Sequence, residues 1–168
     1  CLFGGIGCNF ANPAVTARVL LLIAFGKVAG GAATTFMSAE LGASATPLAV
    51  IKDGEGELPT LIDMLIGNRG GAIGEACAIA LILGFIYLVI RRVITWETPV
   101  VFVATVFVLS LIVKQDLNAA LYQVLGGGLL LGAIFMATDY VTTPITRSGR
   151  ALFALGCGVI TVLIRFWG

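Results

Sequence analysis

The sequence predicts an all-α integral membrane protein, a helical bundle of about four full transmembrane helices preceded by a short or re-entrant N-terminal helix. Three observations carry that expectation. Of the 168 residues, 59% are hydrophobic and 11% charged, and the mean hydropathy is +1.07; soluble domains carry about 25% charge. Several apolar runs approach the roughly 20 helical residues that a bilayer core requires. The arginines Arg91, Arg92, Arg147 and Arg150 fall in two loops between those runs, where the positive-inside tendency expects them.

Taken in chain order, residues 14–25 form the first apolar stretch, which covers only about 18 Å as a helix. It holds Arg18, so a re-entrant helix is expected, with Arg18 facing an interior partner or snorkelling to the interface. Residues 26–71 are the most polar part of the chain and too polar to span. Within them, 59–66 reads as a short amphipathic helix lying at the membrane surface and stopped by Gly67. Four spans follow, over 72–90, 98–113, 118–137 and 151–166. Pro99 suits a first helical turn, and Gly126, Gly127 and Gly128 offer a place for close helix approach. The arginines put the loops after the first and third spans on the cytoplasmic side. Residues before 72, the turn at 114–117 and the chain end at Arg165 and Trp167 then lie outside. The chain divides into 1–71, a short membrane helix with an outer loop, and 72–168, a four-helix transmembrane region.

Ten basic and nine acidic residues leave a net charge of +1, which recommends no nucleic acid as partner. With no histidine, imidazole-based metal sites and Ser-His or Cys-His nucleophiles are excluded. Cys1, Cys8, Cys77 and Cys157 form no CxxC pair; they read as small buried hydrophobes, a cluster shared with other subunits being the other reading. No metal site and no catalytic residue is assigned. A first residue that is Cys1 instead of methionine reads as the start of a fragment.

The stretch Gly42-Ala43-Ser44-Ala45-Thr46-Pro47 concentrates small and hydroxyl residues. Thr46 before Pro47 has the form of an N-cap and an N1 proline opening a short helix over 47–52, whose free N–H groups favour an anion. Plain helix capping is the alternative.

Glu40-Leu41-Gly42-Ala43-Ser44-Ala45-Thr46-Pro47-Leu48-Ala49 resembles the flavinylation signature of the family that contains RnfD, the D subunit of the Rnf electron transport complex, and NqrB, the B subunit of the sodium-translocating NADH:quinone reductase. The family pattern is D-x-x-[ST]-[GS]-A-T, and its final threonine matches Thr46. The opening Phe3-Gly4-Gly5-Ile6-Gly7 with Asn12-Pro13-Ala14, the stretch from Met64 through Gly67-Asn68-Arg69-Gly70-Gly71 to Glu75, and Phe135-Met136-Ala137-Thr138-Asp139-Tyr140-Val141-Thr142-Thr143-Pro144 resemble further segments of that family. Glu40 stands where the pattern has Asp, Ala43 where it has Ser or Thr, and Tyr140 where it has proline. The likeness covers the second half of the family's usual length, so a preceding half of about five spans is expected to be missing or supplied by another chain.

The resemblance implies a half of a urea-channel-like fold and a membrane electron-transfer subunit of an ion-translocating ferredoxin:NAD oxidoreductase, not an enzyme alone. It implies FMN joined through its phosphate to Thr46, flanked by Ser44, Ala45 and Pro47, attached by a separate FMN transferase. Implied partners are other Rnf membrane subunits, including the G subunit with its own covalent FMN, in the cytoplasmic membrane of a bacterium or archaeon. By the same analogy Asp139, Thr142 and Thr143 hold a second, non-covalent flavin such as riboflavin; a helix boundary and turn formers are the other reading. Arg18, Glu75 and Asp116 are candidates for an ion route or for interfacial anchors. The NqrB subunit of the quinone reductase, or a solute channel without redox activity, are the alternatives.

Overall fold

A computed structural model describes residues 11–25, 60–67 and 77–167. The first helix, α1 (Pro13–Ala24), begins where the sequence places its start signal: Asn12 accepts hydrogen bonds through Oδ1 from the N–H groups of Ala14 (2.9 Å) and Val15 (3.3 Å), and Pro13 follows. That satisfies N–H groups no earlier turn can use. The Asn12 Nδ2 donates 2.9 Å away to the carbonyl of Met136, tying the N-terminal end of α1 to a distant part of the chain. Its Val15, Val19, Leu20, Leu21 and Ile23 side chains are exposed, as is Arg18. At 12 residues α1 is too short to cross a bilayer.

The short helix α2 (Leu61–Ile66) also starts and stops on sequence signals. Thr60 Oγ1 accepts from the Asp63 N–H and donates at 2.6 Å to the Asp63 carboxylate, and Gly67 closes the helix with φ 100°. Glycine takes this left-handed turn without the Cβ conflict other residues meet. One face of this amphipathic helix packs on the bundle, with Met64 completely buried and Leu65 against the cluster formed by Ala78, Leu81, Leu130 and Ile134, while Ile62 and Ile66 stay exposed.

α3 (Ala78–Ile90) is the described part of the first expected span. It ends in paired bonds, Arg92 N–H to Val89 O and Val93 N–H to Leu88 O, with Arg92 at φ 55°. This is a Schellman closure carrying arginine where glycine is usual.

α4 (Glu97–Lys114) and α7 (Arg147–Trp167) are long and apolar enough to cross a membrane. Thr98, Phe102, Val106 and Ser110, four residues apart, form the buried stripe of α4, as helical periodicity requires. Ala154, Gly158 and Val162 answer from α7. A Cβ on Gly158 would lie 2.8 Å from the Thr105 side chain, so only glycine allows the two helices this approach. α7 begins four residues before the expected 151. Thr146 Oγ1 accepts from the Gly149 N–H, and this cap carries the helix back through two arginines that a hydropathy reading leaves outside.

The third expected span, 118–137, is not one helix. It is α5 (Leu117–Leu125), then α6 (Leu129–Leu131) running into a π-helical turn (Gly132–Met136), with a bend of 60° between the two halves. Gly127 sits in the break at φ 63°. The glycine run is therefore where the chain turns. After the break, Leu129 and Ala133 enter a cluster with Phe102, Val106, Ala154 and Val162, while Leu130 and Ile134 enter the one with Ala78 and Leu81. The segment joins the α4–α7 side of the bundle to the α2–α3 side.

Among the described residues, two helices can span, or three if the bent pair counts as one, against the four expected; α3 is shorter, at 13 residues. Large apolar side chains are left outward on α7, such as Leu152, Leu155, Leu163 and Ile164, as on a helix that crosses an apolar medium. Among the described residues every regular element is helical, and the chain is an integral membrane protein.

Candidate functional site

The chain between the π-turn and α7 carries Asp139, Thr142 and Thr143. Each hydroxyl is committed locally: Thr142 donates to Asp139 Oδ2 at 3.2 Å, Thr143 to the carbonyl of Ala137 at 2.9 Å, and Thr138 to that of Ile134 at 2.6 Å. The bonds from Thr143 and Thr138 satisfy carbonyls left free where a helix stops. The turn-forming reading thus has a direct geometric counterpart, and each hydroxyl oxygen keeps lone pairs as an acceptor.

The same end of the bundle is fastened by ions. Arg150 reaches Glu97 at 3.0 Å and also donates to the carbonyls of Ile145 (2.7 Å) and Pro144 (3.3 Å), while Arg147 lies 3.4 Å from Glu97. Glu97 opens α4 and Arg147 opens α7. The ion pair therefore brings the loop after α3 and the loop before α7 to one end, as the shared placement of the four arginines anticipates. The carboxylate also favours the N-terminal dipole of its own helix, and it offsets two cations at the start of α7.

Two hollows adjoin this loop, and they divide the expected residues between them. A cavity of about 180 Å³ is lined by Thr98, Thr138, Asp139, Tyr140, Thr143 and Arg150. A larger cleft of about 570 Å³ runs between the start of α1, α4, the π-turn and α7, with Asn12, Thr16, Thr142 and Thr161 among walls that include Phe102, Met136 and Phe153. Thr142 faces the cleft; Asp139 and Thr143 line the cavity.

Thr46, Ser44, Ala45 and Pro47 lie outside the described residues, as does Glu75. Asp116 caps α5, its Oδ1 accepting from the Asn118 N–H at 3.0 Å. Two kinds of residue escape a reading from sequence. Thr98 and Ser110 bury hydroxyls that find no hydrogen-bond partner among the described residues, and nothing in a local pattern announces that. Gln123 and Arg165 meet across the bundle: the guanidinium donates to the Gln123 carbonyl, to Gln123 Oε1 at 3.2 Å and to the Gly126 carbonyl at 3.2 Å. The sequence places Arg165 at the outer end of the last span, and its side chain turns onto the break in the bent span.

The model of the NQR2, RnfD, RnfE family matches residues 1–168. The chain belongs to that family. It is 41% identical to the D subunit of the Na(+)-translocating ferredoxin:NAD(+) oxidoreductase complex of Acetobacterium woodii, over 99% of this chain and 52% of the relative. It is 37% identical to the D subunit of the proton-translocating ferredoxin:NAD(+) oxidoreductase complex of Clostridium ljungdahlii, over 98% and 54% respectively. With the B subunit of the Na(+)-translocating NADH-quinone reductase of Azotobacter vinelandii it shares 32%, over 98% of this chain and 44% of the relative. The chain spans about half the length of the curated relatives it matches. By their names, these relatives are subunits of ion-translocating oxidoreductases.

Proposed function

We propose that the chain is the flavin-bearing part of the D subunit of an Rnf-type complex, with FMN esterified through its phosphate to Thr46. The observation that carries this reading is the run Glu40 to Ala49, which keeps the acceptor threonine and both its neighbours inside a chain of this family. The D-subunit relative from Acetobacterium woodii is more similar to it than the B subunit of the quinone reductase, at 41% against 32% identity, which favours ferredoxin:NAD oxidoreduction over quinone reduction. The FMN ring supplies reversible one- and two-electron chemistry when bound. The role of this chain is to fix the position of that ring relative to the next carrier, so no acid, base or nucleophile is needed from it. A separate FMN transferase, the FMN-bearing G subunit and the other membrane subunits belong to the same proposal, as does residence in the cytoplasmic membrane with several crossings.

A second, non-covalent flavin is placed by this reading in the larger cleft. Ligand pockets hold roughly 300–1,000 Å³, a range that includes the cleft at about 570 Å³ and excludes the cavity at about 180 Å³. Thr142, Thr16 and Thr161 already donate their protons to Asp139, Asn12 and Cys157, so they meet a ligand as acceptors. Asn12 retains a second amide proton as donor. Asp139 then acts by holding Thr142, and Thr143 by closing the turn.

Mass spectrometry of the peptide containing Thr46 tests the covalent proposal. An added FMN mass that disappears in Thr46→Ala, together with loss of a fluorescent band under ultraviolet light after denaturing electrophoresis, is the expected result. An unmodified wild-type peptide from cells that contain the transferase overturns it and favours a solute channel without redox activity. Asp139→Ala is expected to leave the adduct unchanged.

A further inference from the structure

We infer that the break between α5 and α6 is a monovalent-cation site whose resident cation is the guanidinium of Arg165, so that the site is closed to metal cations. Every helix ends with carbonyl groups that lack a partner along the helix, and the aligned peptide dipoles give that end a negative potential. In the middle of a bent span those carbonyls cannot all turn to water, and in other membrane proteins such half-helix ends coordinate sodium. Here the carbonyl and the side-chain oxygen of Gln123 accept from Nη1 of Arg165 and the carbonyl of Gly126 accepts from its Nη2, so that three neutral oxygens surround one guanidinium. Gln123 is 5% exposed, so its amide oxygen is held in place and screened from solvent. The convergence is the donor set of a cation site: neutral oxygens, a helix C-terminus and a buried side chain.

Arg165 fills it from another helix, in the last turn of α7. A guanidinium is planar and always charged, and its forked donors bond several oxygens at once. Because the arginine is tethered, it competes with a dissolved cation at a very high effective concentration. The end of α7 is fixed from a second side as well, since Lys114 at the end of α4 lies 5.8 Å from the centre of the neighbouring Phe166 ring. Arg165 is therefore a positioning residue for the bent span. The consequence for ion movement rests on the family reading above: a translocated ion does not use this break while Arg165 occupies it.

Hydrogen–deuterium exchange of the peptide covering 117–131 tests the assignment in the complete membrane subunit, purified in detergent, in sodium chloride and in choline chloride at equal ionic strength. Wild type is expected to exchange equally in both salts; slower exchange in sodium would overturn the assignment, because it would mean that a dissolved cation already reaches the site. In Arg165→Met the peptide is expected to exchange about 10-fold faster in choline, in line with the loss of charged hydrogen bonds, and to be slowed again by sodium. Exchange as slow as wild type in choline, or equally fast in both salts, would overturn it. Should Arg165→Met not fold, Gln123→Leu keeps the guanidinium on both carbonyls and is expected to show no sodium response; a response there would count against the proposal. None of these readouts involves flavin, so a failure here and a failure of the Thr46 adduct are separate results.

Discussion

The α4–α7 pair and the bent span lie in the same bundle and are held by different forces. α4 and α7 meet through small residues: Gly158 against Thr105, with Ala154 and Val162 completing a dry seam. The bent span breaks its own ladder at Gly126 to Gly128 and recovers the lost bonds from a side chain of another helix. In lipid, apolar surface alone does not bring helices together, because acyl chains solvate leucine as well as another leucine does. Close approach of backbones is one remaining source of order and bonding of stranded polar groups is the other. The chain uses the first where its helices are continuous and the second where one is interrupted.

That contrast can be broken at its tight seam. Gly158→Leu should have the largest effect, since the new side chain must enter space already held by Thr105 and the Phe102 carbonyl; a loss at the upper end of about 1–3 kcal/mol is expected for such overpacking, read as a fall in the unfolding midpoint in detergent. If the midpoint is unchanged, the two helices do not pack at that point. Glu97→Ala tests the ionic end. It leaves Arg150, whose side chain is 20% exposed, with only the carbonyls of Ile145 and Pro144, and should cost about 1.5–3 kcal/mol as a charged hydrogen bond is lost. Glu97→Gln should recover part of that, and no difference between the two variants would mean that the carboxylate only fills space.

Smaller effects sharpen the comparison. Asn12→Ala removes both the cap of α1 and the bond to Met136, with an expected loss of about 1 kcal/mol. Its clearer signature should be faster proteolysis within α1, while α4 and α7 stay protected. Thr98→Val replaces a buried hydroxyl that has no partner among the described residues by a methyl group of similar shape. Burying an unsatisfied polar group is unfavourable, so the unfolding midpoint should stay level or rise slightly. A clear fall would show that the hydroxyl has a bonded partner in the membrane.

Much of this architecture is legible in the sequence because its signals are local. Asn12-Pro13, Thr60 with Asp63, and Gly67 start and stop helices through bonds made within a few residues. The apolar lengths of α4 and α7 follow from composition alone. Reading 118–137 as one continuous helix fails because hydropathy averages over a window and three glycines do not lower it enough. The break depends on backbone angles at Gly127 and on Arg165, which lies 39 residues from Gly126 in sequence. The four arginines group correctly from their positions, but the carboxylate that joins two of them does not announce itself, since Glu97 sits 53 residues from Arg150. Of the candidate site, the residue types of the loop at Asp139 are readable, while their division between a small cavity and a large cleft is not.

What the sequence determined by itself is therefore what short range decides: a helical membrane chain, its caps, its approximate spans, the family to which it belongs and the threonine proposed as the flavin tether. Only the tertiary structure decided which glycine lets α4 and α7 touch, where a span bends and which cation meets the stranded carbonyls. The physical reason is that hydropathy and capping are properties of neighbours along the chain. Packing and the satisfaction of buried polar groups are properties of neighbours in space, and in a membrane each carbonyl left by a broken helix must find its partner there.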